Sequence, residues 1–321
     1  MSIVRCPLLI GVVGPTATGK TAVGIELAKR IDGEIVSADS MAVYRLMDIG
    51  TAKPKPEERQ GVAFHLIDVV WPDEEFSVAS YRRLALEVIS RILSGGKVPI
   101  LVGGTGLYVK AVVGDLGIPE VPPNRALRER FRAEAESLGN MHLFERLKAV
   151  DPVTAGRLHP NDLKRVIRAL EVYELSGVPL SQHRSLKCGP GCDVALFGLT
   201  MSRQALYKRI EQRVDEQIAR GLLDEVKSLL EKGYSPDLPS MKGLGYKQIA
   251  GYVRGEFDLD RAIQLIKRDT RRYAKRQFTW FKSDPRIQWI DVEDKSTSEV
   301  ADEIVTKVKM TGLITEKLGS A

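Results

Sequence analysis

An α/β fold, with a parallel sheet core flanked by helices and an all-helical insertion, is predicted by three features of this 321-residue sequence. Apolar runs alternate with helix-patterned stretches through the first hundred residues. A glycine-rich loop, "GPTATGKT", follows the first apolar run and opens a helix. From residue 119 to residue 187 the pattern is helical without interruption. Strand–helix alternation calls for parallel strands, because each crossover helix covers a sheet face. Ligands in such sheets bind beyond the carboxyl ends of the strands.

The elements follow in order. "LLIGVV" reads as a strand buried on both faces, and "KTAVGIELAKRI" as a helix with Val23, Leu27 and Ile31 on one side. "EIVSADS" and "FHLIDVV" are strands. Ser77 caps a helix through "VASYRRLALEVISRILS", which stops at Gly95-Gly96. "VPILVGGTG" is a buried strand running into a second glycine turn. Pro119, Pro122 and Pro123 punctuate a boundary. Three helices follow, in "RALRERFRAEAESLG", "MHLFERLKAV" and "NDLKRVIRALEVYELSG". "VALFGLTM" returns to the sheet. "RQALYKRIEQRVDEQIARG", "LDEVKSLLEKG" and a long basic stretch are helical, and "IQWIDV" is a last short strand. The polar tail beyond "KVKMTG" is expected to fray. The expected division is residues 1–118 with 188–321 as the sheet core, and 119–187 as the helical insertion.

Composition narrows the class. Apolar residues make up 43% and charged residues 28%, as in globular proteins. No apolar run approaches the roughly 20 residues that cross a bilayer. "CPLLIGVV" leads directly into the glycine loop with no cleavage site, so it reads as a strand and not a signal peptide. A cytoplasmic protein is expected, and nothing indicates an obligate partner, so a monomer. Cys6, Cys188 and Cys192 are odd in number, which argues against a disulfide framework. "CGPGC" with His183 lacks a second ligand pair for zinc and reads as a surface turn. His65, His142, His159 and His183 are scattered, and no metal is assigned to them.

The net charge is +6. Its distribution says more than its size. Arg261 to Arg286 carries nine basic residues against two acidic ones. An anionic partner is favoured there over a solvated face with carboxylate partners elsewhere. For the shorter cluster "NDLKRVIR" the two readings are even.

The loop fits G-x-x-x-x-G-K-[ST] at every position: Gly14, Pro15, Thr16, Ala17, Thr18, Gly19, Lys20, Thr21. In this P-loop NTPase-like pattern the glycines let backbone N–H groups close on phosphate oxygens. Lys20 supplies a point charge, and Thr21 offers its hydroxyl to Mg²⁺. The helix N-terminus faces the anion. A nucleotide hydrolase would also carry a strand ending in Asp for Mg²⁺ and water. "VPILVGG" ends in glycines instead. A carboxylate closes an earlier strand, Asp39. It is either a turn cap or a group beside the phosphate site that accepts a proton or supports the metal.

"GPTATGKT", "DSMAVYRLMDIGTAKP", "LVGGTGLY", "HPNDLKRVIRALEVY", "MKGLGYKQI" and "AKRQFTWF", in that order, closely resemble the bacterial tRNA dimethylallyltransferase family. The resemblance runs from about Leu9 to Phe281. It implies transfer of the dimethylallyl group of dimethylallyl diphosphate to the exocyclic N6 of adenosine 37 in tRNA, with Mg²⁺. It further implies that Asp39 is the general base and that Arg213, rather than Arg209, binds the diphosphate with Lys20 and Thr21. The matching tRNA contacts are Asp39, Ser40, Met41, Ala42 and Thr105 near the extruded base. Arg128 and the run Lys164, Arg165, Val166, Ile167 and Arg168 match the grip on the anticodon stem-loop. Met241, Lys242, Gly243, Leu244, Gly245 and Tyr246 match a further tRNA-facing loop. Many members have Gln where this chain has Ala42, so only a backbone contact carries over there. Eukaryotic members carry a C-terminal zinc finger; no Cys or His follows Cys192 here, so the bacterial form is expected.

Alternatives are an isopentenyltransferase acting on free adenine nucleotides, a P-loop small-molecule kinase, and a non-catalytic RNA-binding protein. Trp280 and Phe281 are read as core in preference to base-stacking platforms.

Overall fold

The computed structural model describes residues 7–114, 118–119, 121–183 and 190–310. Six strands form one sheet: β1 (Leu8–Val13), β2 (Gly33–Ser37), β3 (Phe64–His65), β4 (Val98–Gly103), β5 (Asp193–Thr200) and β6 (Ile287–Asp291). Their order is β3-β2-β4-β1-β5-β6, and every pairing is parallel. The register aligns the carboxyl ends at the centre, where Val13 lies opposite both Gly103 and Gly198.

Both sheet faces are covered, which is why the central strands are apolar without alternation. In β1, Leu9 and Val13 join one core while Leu8, Ile10 and Val12 join the other. Helix α1 (Lys20–Ile31) packs on the second core so closely that a Cβ on Gly24 would fall 2.8 Å from Val102. Helix α2 (Val78–Ser94) packs on the first. It starts where expected, with the Ser77 hydroxyl accepting from the Ser80 N–H at 3.0 Å. Such a cap contributes about 1 kcal/mol. Helix α3 (Gly106–Val112) follows β4.

The chain divides into two compact units, 1–113 with 190–321, and 114–189. The second holds α4 (Arg125–Leu138), α5 (Asn140–Val150), the single turn α6 (Pro152–Ala155) and α7 (Leu163–Ser176). Phe131, Leu143, Leu147 and Val166 are among its fully buried apolar residues. Each such side chain contributes on the order of 2 kcal/mol through burial. Helices α8 (Arg203–Ala219), α9 (Leu222–Glu231), α10 (Tyr246–Val253), α11 (Leu259–Lys282) and α12 (Thr297–Met310) belong to the sheet unit.

Two expectations change. The strand expected over "FHLIDVV" keeps only Phe64 and His65, because Leu66 and Asp68 adopt left-handed backbone (φ 62° and 55°) and break the extended run. Four helices, α3, α6, α10 and α12, were not expected. The first three are too short to show a period. In α12, Val300, Ala301, Ile304 and Val308 carry the helical spacing that would have marked it. Cys6, Cys188 and the tail beyond residue 310 lie outside the described residues.

Candidate active site

Three loops converge at the carboxyl ends of β1, β2 and β4. The first is "GPTATGKT". Gly14 takes φ 134°, and a Cβ there would sit 2.6 Å from the Leu199 carbonyl oxygen. The loop is braced internally: the Thr18 hydroxyl donates to Pro15 O at 2.9 Å, and Lys20 Nζ donates to the same oxygen at 2.5 Å. Lys20 is the first residue of α1, so the helix N-terminus and the ammonium face one place.

The second loop begins at Asp39. Its Oδ1 accepts from the Met41 N–H at 2.8 Å and the Ala42 N–H at 3.3 Å. The turn-cap reading of Asp39 therefore holds, and both bonds use one oxygen, which leaves Oδ2 for the cavities that Asp39 lines. The third loop is the glycine turn after β4. Its closeness requires glycine: a Cβ on Gly103 would lie 2.2 Å from Ala38 O. Thr105 ties the second and third loops, accepting from the Ser40 N–H at 3.0 Å and donating to the Ser40 hydroxyl at 3.2 Å.

Two cavities open among these loops. One is lined by Thr16, Lys20, Thr21, Asp39, Gly103 and Arg213, together with apolar Ile35, Phe64 and Ile67. The other is lined by Asp39, Ser40, Met41, Lys242, Tyr246 and Tyr273. Thr16, Asp39, Thr51, Arg213 and Tyr273 line both. Arg209 is exposed and lines neither.

The charges at this junction are unusual. Burial, reinforced by the Arg213 charge and opposed by Asp39, pushes the Lys20 ammonium down to about 7. Burial also lowers Arg213, again opposed by Asp39. Two cations in a desolvated place favour an anion between them. Burial and the Asp39 charge push the Tyr273 hydroxyl up to about 12, so it stays a neutral hydrogen-bonding group.

The loop from Asp48 to Lys53 is held from below. Glu225 of α9 accepts from the N–H groups of Asp48, Ile49 and Gly50 at 3.0, 2.8 and 3.2 Å, and from the Tyr246 hydroxyl at 2.6 Å. Gln217, one turn after Arg213 on α8, donates to Ile49 O and Gly50 O. Lys53 is buried and donates to Tyr44 O, Asp48 and Asp68. Glu225, Gln217 and Lys53, with Tyr273 and Gln277 of α11, are not singled out by the sequence, whereas Tyr246 is. The partners of Glu225, Gln217 and Gln277 lie too far along the chain for spacing to reveal.

In the "MKGLGY" loop, Lys242, Gly243, Leu244 and Tyr246 line the second cavity. Met241 is fully buried, so an RNA-facing side chain is corrected to a core one. Gly245 (φ 87°) opens α10.

In the helical unit, Lys164 and Arg165 are exposed. Val166 and Ile167 are buried in its core, so the expectation that they touch RNA does not hold for their side chains. Arg128 and Arg168 converge on the buried Glu171: Arg128 donates to both carboxylate oxygens at 2.8 and 2.9 Å, and Arg168 to one at 2.5 Å. Burial alone would raise Glu171, but the bonds from Arg128, the Asn124 N–H and Arg168 outweigh it and hold the carboxyl below its usual range. Arg128, Arg132, Lys164 and Arg168 border one groove of this unit.

The basic stretch on α11 is partly paired. Lys267 meets Asp215, Arg268 meets Asp269, and Arg271 meets Glu211. Phe281 is core as expected. Trp280 departs from that expectation: it is 36% exposed, with the Lys110 ammonium 5.2 Å from its ring centroid. Among the described residues no cluster of three or more His, Cys, Asp or Glu is placed to hold a metal, and no helix is long and apolar enough to cross a membrane.

A family model described as IPP transferase matches residues 42–284. The chain is 57% identical over 289 residues to a tRNA dimethylallyltransferase of Desulforudis audaxviator, covering 90% of this chain and 93% of that one. Its fold matches the full-length tRNA isopentenylpyrophosphate transferase of Bacillus halodurans with a TM-score of 0.70 at 42% identity, covering 95% of this chain and 97% of that one. A eukaryotic dimethylallyltransferase acting on tRNA matches with a TM-score of 0.79 at 26% identity, covering 97% and 81%.

Proposed function

The chain belongs to the IPP transferase family, and on that premise we propose that it is an enzyme that transfers the dimethylallyl group of dimethylallyl diphosphate to N6 of adenosine 37 in tRNA. The observation that carries this reading is the pair of cavities meeting at Asp39, Arg213 and Tyr273. One has the phosphate loop at its wall and suits the diphosphate donor. The other suits a base taken out of its stack, as chemistry on a base requires.

The reaction breaks the bond between the dimethylallyl carbon and the diphosphate oxygen and forms a bond from that carbon to N6. Lys20, Arg213 and the loop N–H groups stabilise charge on the departing diphosphate. Asp39 takes the N6 proton as the amine becomes acidic with the new bond. Its second oxygen is available for this while the first keeps the turn closed. Mg²⁺ fits the donor set: the Thr21 hydroxyl borders the phosphate cavity, and Mg²⁺ commonly takes few protein oxygens beside phosphate and water. When bound, it would neutralise diphosphate charge.

Ser40 and Met41 line the acceptor side with Lys242, Gly243, Leu244 and Tyr246, and Thr105 braces it through Ser40, whereas Ala42 lines the donor cavity. The helical unit, residues 119–187 by the sequence division, grips the anticodon stem-loop through exposed Lys164 and Arg165, and the enzyme works as a monomer. Mass spectrometry of tRNA nucleosides after incubation with dimethylallyl diphosphate tests the reading. N6-(dimethylallyl)adenosine in tRNA is expected. Prenylation of AMP in preference to tRNA, or ATP turnover without prenyl transfer, would overturn it.

A further inference from the structure

The phosphate loop lies beside the end of β4, and the space between them is filled from a distant part of the chain. Gln277 of α11 reaches in and is 6% exposed. Its Oε1 accepts from the Thr16 N–H at 2.8 Å, and its Nε2 donates to Gly104 O at 2.9 Å. Only one orientation of the amide satisfies both bonds, since the first partner is a donor and the second an acceptor. Gly104 makes the room: a Cβ there would lie 2.2 Å from Gln277 Nε2. Tyr273, one turn earlier, is in hydrogen-bond contact with the Thr105 and Gln277 side chains.

The place matters. In loops of this sequence pattern that serve triphosphates, backbone N–H groups and the lysine cradle the β- and γ-phosphates. The neighbouring strand ends there in an acid for Mg²⁺ and water. Here that strand ends in Gly103 and Gly104, and a side-chain amide occupies the loop N–H and the strand carbonyl together. A further phosphate at this end of the cradle would have to displace Gln277. The phosphate oxygens could accept from the Thr16 N–H in its place, but the buried Gly104 carbonyl, an acceptor like them, would lose its donor and face an anion.

We propose that Gln277 closes the cradle at diphosphate length and makes the site reject a third phosphate. This deepens the function proposed above and rests on it. Gln277 is a specificity-determining residue here, acting by exclusion.

The test is competition against dimethylallyl diphosphate in tRNA prenylation by the full chain, with Mg²⁺ in excess. Inorganic pyrophosphate and tripolyphosphate are the competitors. In the wild type, tripolyphosphate should bind at least about tenfold more weakly than pyrophosphate, the penalty of unpairing the buried Gly104 carbonyl. In Gln277→Ala and Gln277→Asn the preference should fall to within about threefold. A wild type that binds both equally, or folded variants that keep the wild-type ratio, would overturn the proposal. If neither variant folds, the wild-type ratio alone decides. Direct titration of both anions separates the two readings: a preference for pyrophosphate without any tRNA prenylation would sink the function and leave the closure standing.

Discussion

The helical unit and the phosphate site of the sheet unit both gather charged side chains, and they treat them in opposite ways. In the helical unit Arg128 and Arg168 are spent on Glu171, whose carboxylate also takes the Asn124 N–H. In the sheet unit Lys20 turns to a carbonyl of its own loop, Asp39 to two backbone N–H groups, and Arg213 joins neither in an ion pair among the described residues. Buried charge that is matched holds a fold together. Cations that share one carboxylate, with no ion pair of their own among the described residues, await an anion that matches them.

The largest break in this comparison should come from Asp39. Asp39→Asn keeps an oxygen to close the turn and removes the base, so transfer should fall roughly a hundredfold or more. Its tRNA affinity should stay near wild type in a filter-binding titration. Normal turnover with lost affinity would mean that Asp39 serves only the loop. Next is Glu171→Ala, which strands two guanidinium groups and should cost about 3 kcal/mol of stability in denaturant melts. Pyrophosphate binding should be unchanged, because the cradle lies in the other unit; a weakened cradle would erase the contrast drawn here.

A pH titration sharpens the sheet-unit side. Lys20, pushed down to about 7, is charged below that pH and neutral above it. A bound diphosphate raises it again, so binding above pH 7 takes up a proton. Donor KM should therefore rise with pH above about 7, by at most about tenfold per unit. A flat profile, with no proton uptake in calorimetry, would show that the cations are not poised for the anion. The smallest effect belongs to surface charge. Lys164→Ala with Arg165→Ala should weaken tRNA binding a few-fold and reduce its log–log salt slope by about 2. An unchanged slope would make those residues plain solvated surface. Arg168 is a poor choice for that experiment, since its loss also unpairs Glu171.

The sheet and the main helices were legible because their apolar periods are local. So were the phosphate loop and Asp39, whose chemistry needs fixed residue types at fixed spacing. Arg213 was found through resemblance, and burial beside Asp39 then separated it from exposed Arg209. What escaped depends on partners far apart in the chain. Arg128 and Arg168 read as part of the grip on RNA, because Glu171, though three residues after Arg168, reveals neither its burial nor its pairing with the distant Arg128. Glu225 reads as one more acid on a helix until Asp48, Ile49 and Gly50 turn their N–H groups toward it. The charge of α11 drew attention to its arginines, yet its uncharged Tyr273 and Gln277 face the site.

The bond from Thr16 to Gln277 spans 261 residues. At synthesis rates of about 5–20 residues per second, translation takes roughly 13 to 50 s to travel between them. During that interval the nascent chain carries its phosphate loop, and for roughly the last third of it a finished helical unit, before the side chain that closes the cradle has been made. Chains cut short ahead of residue 277 would emerge with the loop open at that end. Accuracy toward the donor is acquired late in synthesis, after the parts that hold it have already been laid down.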